Sequence, residues 1–412
     1  MTADLGPIAA GTPAYRKFSL ALVIAGFATF SLLYSVQSLL PIFSREFHVS
    51  AGEASLVVSL ATGPLGVVLI AASVLSDRIG RQRMMMASLF AGSILTVASA
   101  ILPGWHTLLV TRFLTGIALG GIPAVAMAYV AEEVDAESIG GAMGVYIAGS
   151  AIGGMIGRIL ASVLADVLNW RIALGTVGGC SFIGALVFWR VAPPSRSFAP
   201  RKHDWASFFA SVRYLVRDAA LPWLYSEGFL LMGAFVTIYN YVAFHLLAPP
   251  YSLSQAVVGA IFLFYIVGSF SSTWFGTLAG RLGRRRVFWI PIVVFACGIA
   301  LTAAAPLAVI ILGVAVVTVG YFGAHSIASS WVGRRGRAAR AQAAAFYLFF
   351  LYLGSSVVGS AGGIAWSRAG WPGVAVFTGV LIAAALLVAL RLAAVKPLPE
   401  NEVPPATGTA AV

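Results

Sequence analysis

Four ionisable side chains stand inside long apolar stretches of this sequence: Glu227, Arg112, Arg158 and His325. A charge held far from water is costly, so such a group is by default a candidate for handling a proton or a solute. Of 14 acidic residues, Glu227 alone is placed well inside an apolar stretch. Burial favours the neutral carboxyl, and contact with water or a cation favours the charged one. Glu227 is therefore read as the carrier of a coupling proton. His325 is the second titrating candidate, because histidine changes charge near neutral pH; a hydrogen-bonded packing histidine fits equally well. Arg112 is assigned a separate gating or relay role. Arg158 fits a cavity residue or a donor that merely braces one helix on another. Phe27, Phe30, Tyr34, Gln37 and Ser38 follow three- and four-residue spacing, so they form one helical stripe. Tyr241 lies fourteen residues past Glu227, within about 40° on a helix of 3.6 residues per turn, whereas Asn240 points elsewhere. Phe30, Tyr34, Gln37, Arg158 and Tyr241 are thus the expected lining of an aromatic pocket for an amphipathic, neutral or cationic solute.

These groups need elements that hold them at depth. The chain has 412 residues, 60% hydrophobic and 10% charged, with a mean hydropathy of +0.93. A soluble domain carries roughly 25% charged residues. The composition excludes disorder as well as a soluble domain, and leaves a polytopic membrane protein. The apolar runs are long and continuous, not the alternating ten-residue segments of a membrane barrel, so the spans are helical. Twelve are expected: approximately 18–40, 53–75, 84–103, 107–130, 139–165, 170–191, 220–247, 254–278, 287–305, 307–331, 339–365 and 373–395. Pro41, Pro103 and Pro372 read as helix punctuation. Cys180 and Cys297 lie within apolar runs and read as buried, inert thiols. The first run is long enough to span and does not resemble a cleavable signal.

The net charge of +12 is placed in a way that argues against nucleic acid. Of 26 Lys and Arg, 21 fall in six short segments that recur after every second apolar run. That distribution marks those segments, and both termini, as cytoplasmic. A cytoplasmic N-terminal tail (1–17), a six-helix half (18–191), a basic linker (192–219), a second six-helix half (220–395) and a C-terminal tail (396–412) follow.

The two halves echo one another. Asp77–Arg83 between spans two and three returns as Gly280–Arg286 after 203 residues. Gly149-Ser150 returns as Gly354-Ser355 after 205, and Asn169-Trp170 as Gly370-Trp371 after 201. Duplicated six-helix halves in parallel orientation are the architecture of transporters that work by alternating access. No phosphate-binding loop, nucleophile elbow or His-rich cluster is present, which disfavours an ATP-driven pump, a membrane enzyme or a metal site.

The Asp77–Arg83 stretch resembles the cytoplasmic loop motif of the major facilitator superfamily, with Ser73 in place of its leading glycine and Gln82 in place of its last basic residue. Arg112–Gly116 with Gly120 and Gly121 resembles the family's fourth-helix motif. Gly149, Gly153, Gly154 and Gly157 resemble the helix-five glycine motif of its proton-driven exporters, with Gly154 where that motif has proline and Arg158 where it has its final glycine. The likeness covers residues 15–395 and falls near the drug:proton antiporter and sugar-efflux branches. It implies an all-α membrane protein of twelve helices in two pseudo-symmetric halves, acting as a monomer in a bacterial inner membrane. It further implies export of small drug- or sugar-like molecules by proton antiport, with import of a metabolite as the alternative, and no cofactor beyond the proton gradient. Asp77, Arg78, Gly80 and Arg81 would then form a conformational latch, with Asp77 facing the arginines at 334–340 or the helix N-terminus at the start of helix eleven.

Overall fold

The computed structural model describes residues 7–195 and 205–396, apart from the side chains at 73, 74 and 205–209. Readings that concern the Ser73 side chain, positions 1–6, linker positions 196–204 and the tail 397–412 fall outside the described residues. In lipid, every backbone donor and acceptor must be satisfied within its own segment, so long apolar stretches fold as helices. The spans are α1 (Pro13–Glu46), α2 (Ala51–Ile79), α3 (Arg81–Ile101), α4 (Trp105–Glu133), α5 (Ile139–Val167) and α6 (Trp170–Val191) in the first half. The second half holds α7 (Leu221–Leu247), α8 (Gln255–Leu282), α9 (Arg284–Thr302), α10 (Leu307–Arg335) and a final run, Arg340–Ala394. That run is broken at Ala369 and at Gly370, where φ is +57°, giving α11 (340–368) and α12 (371–394). Twelve spanning helices result among the described residues.

Ordinary end signals set the boundaries. Ser50 and Glu53 form a capping box on α2, Asn169 caps α6 and Ser254 caps α8. Gly80 and Gly283, with φ of +94° and +92°, make the tight α2–α3 and α8–α9 turns, so the sequence echo is also a backbone echo. Pro41 does not end the first span. There α1 tightens into a 3₁₀ turn, Ser35–Leu39, and resumes over Leu40–Glu46 with Pro41 in its first turn, where the missing N–H costs nothing.

Two further differences have physical reasons. Cys180 and Cys297 are exposed, not buried. They share the outer surface of the bundle with side chains such as Ile183, Phe270 and Trp274. In a membrane protein that surface meets lipid, so an apolar neighbourhood in sequence does not mean a place in the core. The linker also contains a helix, Trp205–Arg217, that buries Leu215 and leaves Arg213 and Arg217 exposed.

Packing repeats across the halves. α1 lies along α5 and α7 along α11, while α2 against α11 and α5 against α8 join the halves. A methyl group on Gly153 would sit 2.2 Å from the Phe27 carbonyl oxygen, and one on Gly354 2.1 Å from that of Phe229. Methyl groups on Gly149 and Gly157 would sit 2.8 and 2.7 Å from Val23 and Ser31 of α1. Three of the helix-five glycines therefore form one close-approach face, as small residues do between helices in lipid. Gly154 lies off it, beside Phe30 and the Arg158 guanidinium.

Candidate functional site

A buried polar seam runs between the halves, nearer the far ends of α5 and α7 than their basic ends. Arg158 of α5 is 3% exposed. Its Nε donates to Gln37 Oε1 at 2.7 Å and its Nη1 to the Gly154 carbonyl at 2.7 Å. The guanidinium carbon lies 4.3 Å from the Tyr34 ring centroid and 5.0 Å from those of Phe262 and Tyr265. Gln37 in turn donates from Nε2 to Asn240 Oδ1 at 2.8 Å, which joins α1 to α7. An arginine can only donate, so it fixes the orientation of both amides. The Asn240 amide nitrogen is left buried with no described partner, and the buried Tyr34 hydroxyl has the Ser355 side chain of α11 beside it. Phe30 stacks on Tyr34 with ring centroids 6.2 Å apart.

The stripe through Glu227 and Tyr241 is real, but it faces α11. The Tyr241 hydroxyl donates to the Gly359 carbonyl at 3.2 Å, and its ring stacks on Trp366. Tyr241 is therefore corrected from pocket lining to helix contact, and Asn240 takes its place beside Gln37. Asn240 also borders α11, its amide nitrogen 3.4 Å from where a methyl on Gly359 would sit, but its oxygen is turned to Gln37.

Glu227 is fully buried, and neither carboxyl oxygen has a described hydrogen-bond partner. Tyr347 of α11 is its electrostatic neighbour, and that hydroxyl lies 2.9 Å from Nδ1 of His325 on α10. His325 is stacked between Tyr321 and Tyr347, with centroids 5.7 and 5.6 Å away. The structure thus brings Glu227 and His325 to the same tyrosine.

Arg112 does not join them. It is fully buried and donates to the backbone carbonyls of Val57, Leu32 and Leu33 at 3.1, 3.0 and 2.6 Å. Those carbonyls of α1 immediately precede its 3₁₀ turn, where α-helical partners are lost. Arg112 is a brace from α4 to α1 and α2.

At the basic end of the bundle, Asp77 pairs with Arg81 at 2.5 Å, and Arg81 pairs with Glu132 of α4 at 2.7 Å. The expected contact of Asp77 with the arginines at 334–340 is absent among the described pairs; Arg335 is held instead by Asp218, with Nε–Oδ1 2.7 Å and Nη2–Oδ2 2.8 Å. Arg78 is exposed, and Gly80 forms the turn. Each of these pairs closes within one half and its linker. The far end is different. Gln255 of α8 reaches the Ser38 carbonyl at 2.5 Å and the Ser162 hydroxyl at 3.1 Å, and its N–H approaches Asp166 at 3.3 Å. Ser59 of α2 accepts from Ser356 and Ser360 of α11 at 2.9 and 2.6 Å. All described hydrogen bonds between the halves lie from mid-depth to this far end, so the far side is sealed. Gln255 carried no sequence signal: it is an uncharged residue at a helix start, and its partners lie far away in the chain.

Two six-helix bundles, a polar seam on their pseudo-axis and a seal on one side define a polytopic transporter. The chain belongs to the Major Facilitator Superfamily, whose pattern matches residues 21–336. It is 46% identical over 382 residues to the uncharacterized MFS-type transporter YybF of Bacillus subtilis (strain 168), covering 93% of this chain and 94% of that one. It is 42% identical over 387 residues to the inner membrane transport protein YnfM of Escherichia coli (strain K12), covering 93% and 92%. A probable sugar efflux transporter of Helicobacter pylori (strain ATCC 700392 / 26695) is 22% identical over 68% of this chain and 71% of its own. Among solved structures, the nucleoside transporter NupG superposes with a TM-score of 0.72 at 17% identity, over 90% of this chain and 99% of that one. That likeness concerns the fold. The protein is a multi-pass membrane transporter, and not an enzyme.

Proposed function

We propose that this transporter exports small amphipathic organic molecules in exchange for protons, with Glu227 as the coupling acid and the Arg158–Gln37–Asn240 seam as the solute site. The observation that carries the coupling is the buried Glu227 carboxyl without a partner. Removing a bare carboxylate from water costs on the order of several kcal/mol, so the conformation described is compatible with Glu227 holding its proton. Tyr347 is the electrostatic neighbour of Glu227 and its hydroxyl lies on His325, which supports His325 as a second base on the route of a proton that leaves Glu227. Opening the seam to water makes the charged form cheaper, so protonation and conformation bias one another, as exchange requires. Direction is supported by the helix-five glycines, which resemble those of proton-driven exporters. The basic end is taken as cytoplasmic, because positive residues remain on that side; the seal then lies on the outer side.

The test is flux in proteoliposomes, after cells overproducing the chain have been screened for altered resistance across a panel of toxic amphipathic compounds. An imposed pH gradient should drive uphill movement of the selected compound, and collapsing it with a protonophore should stop that movement. Uphill movement that ignores the pH gradient overturns the coupling.

A further inference from the structure

We propose that the solute carries an anionic group, a carboxylate on an apolar or aromatic body, and that Arg158 is the residue that recognises it. This rests on reading the seam as the solute site, and is independent of direction and of proton coupling.

The argument starts from charge balance. The described ion pairs use Asp77, Glu132 and Asp218, with Arg81 and Arg335, and none includes Arg158. A guanidinium in this seam, 3% exposed and without a described counter-ion, is stabilised only by three ring faces and two neutral acceptors. Its described bonds use Nε and Nη1, and Nη2 has none.

The surroundings are donors in excess. Because Arg158 forces Gln37 to present its oxygen, and Gln37 then donates to Asn240, the amide nitrogen of Asn240 is left over. The Tyr34 ring lies against the same guanidinium, and its buried hydroxyl has the Ser355 side chain of α11 beside it. Arg158 Nη2 and the Asn240 amide nitrogen are thus two donors of one hydrogen-bonded chain that have no described acceptor, and one of them is cationic. The complement is an acceptor-rich anion, and a carboxylate matches the edge of a guanidinium by two parallel bonds. Phe30, Phe262 and Tyr265 offer its apolar body a wall of rings.

The site is also split in the right way. Tyr34, Gln37 and Arg158 come from the first half, and Asn240, Phe262 and Tyr265 from the second. Rocking the halves apart breaks the Gln37–Asn240 bond and withdraws two rings from the guanidinium, which uncovers the cation as the cavity opens. The expectation of a cationic solute is reversed, because a second positive charge beside Arg158 would meet repulsion in a low dielectric.

The test uses the purified full-length chain in detergent and three probes of one shape: 2-naphthoate, 2-naphthamide and 2-naphthylmethylammonium. Their effect on thermal unfolding gives apparent affinities. Naphthoate should bind at least tenfold more tightly than the amide, and the ammonium should not stabilise. Arg158→Gln should erase the preference for naphthoate over the amide, and Arg158→Lys should retain part of it. Should Arg158→Gln fail to fold, Asn240→Leu should weaken naphthoate several-fold and leave the amide unchanged. Equal or tighter binding of the ammonium, no response of the unaltered protein to naphthoate, or full naphthoate preference in a folded Arg158→Gln would each overturn the proposal and leave Arg158 a brace. The assay contains no gradient. Anion binding without pH-driven flux would overturn the coupling alone; pH-driven flux without anion preference would overturn this inference alone.

Discussion

Glu227 and Arg112 are both fully buried, and the difference between them is what surrounds the charge. Arg112 donates to three backbone carbonyls, whereas the Glu227 carboxyl has no described partner. That contrast separates a brace from the proposed coupling acid, and no hydropathy pattern displays it. Arg112→Leu should therefore lower stability by several kcal/mol, because each stranded buried acceptor costs about 1–3 kcal/mol. Unfolding in mixed detergent would measure it, and a loss under 1 kcal/mol would remove the brace. At this scale the sequence shows which side chains are anomalous, because ionisable groups in apolar runs stand out. It does not show their partners. Tyr241 and Asn240 are neighbours in the chain and both border Gly359 of α11, and only the packing shows that Asn240 is the one that meets Gln37.

At the scale of helices, glycine spacing was legible and glycine function was not. Gly149, Gly153 and Gly157 recur every four residues, which marks one face of α5; that this face lies on α1 backbone follows only from packing. Gly153→Val places carbon inside the Phe27 backbone, where a first methyl already sits 2.2 Å from an oxygen. It should push α5 off α1 and abolish flux, with a fall in stability, while Gly154→Ala, whose added carbon would be 3.2 Å from the movable Arg158 Nη1, should cost far less. Flux and unfolding measured on both variants check the contrast, and equal effects would contradict it. The 3₁₀ turn in α1 was not legible, because Pro41 is an ordinary helix stop signal unless the turn before it restarts the helix. Exposure of Cys180 and Cys297 was not legible either, since hydropathy cannot separate lipid-facing from core positions.

For the whole molecule, the duplicated halves, their offset near 203 residues and the placement of arginines were visible in the sequence. The conformational state was not, because the residues that seal one side are small and polar: Ser38, Ser59, Ser162, Gln255 and Ser360. Gln255→Ala removes two bonds across this seal. It should shift the population toward the state closed at the basic end. Spin labels at positions 78 and 337 should then move closer together, and those at 48 and 252 further apart. No change in either distance would show that the seal resides elsewhere. The energetics of the cycle also depend on the sign of the solute. An exported monoanion exchanged for one proton moves two charges in the favourable direction, worth about 4.6 kcal/mol per 100 mV at about 2.3 kcal/mol per charge.

Proton-coupled movement through Glu227 is tested most directly by comparing the unaltered protein with Glu227→Gln in the same proteoliposomes, with one transported compound. Glu227→Gln keeps the shape of the side chain and removes its change of charge. It should abolish accumulation driven by an imposed pH gradient and preserve downhill exchange of labelled for unlabelled compound. Accumulation against the gradient by Glu227→Gln, with the proton dependence of the unaltered protein, would contradict the account and place the coupling group elsewhere.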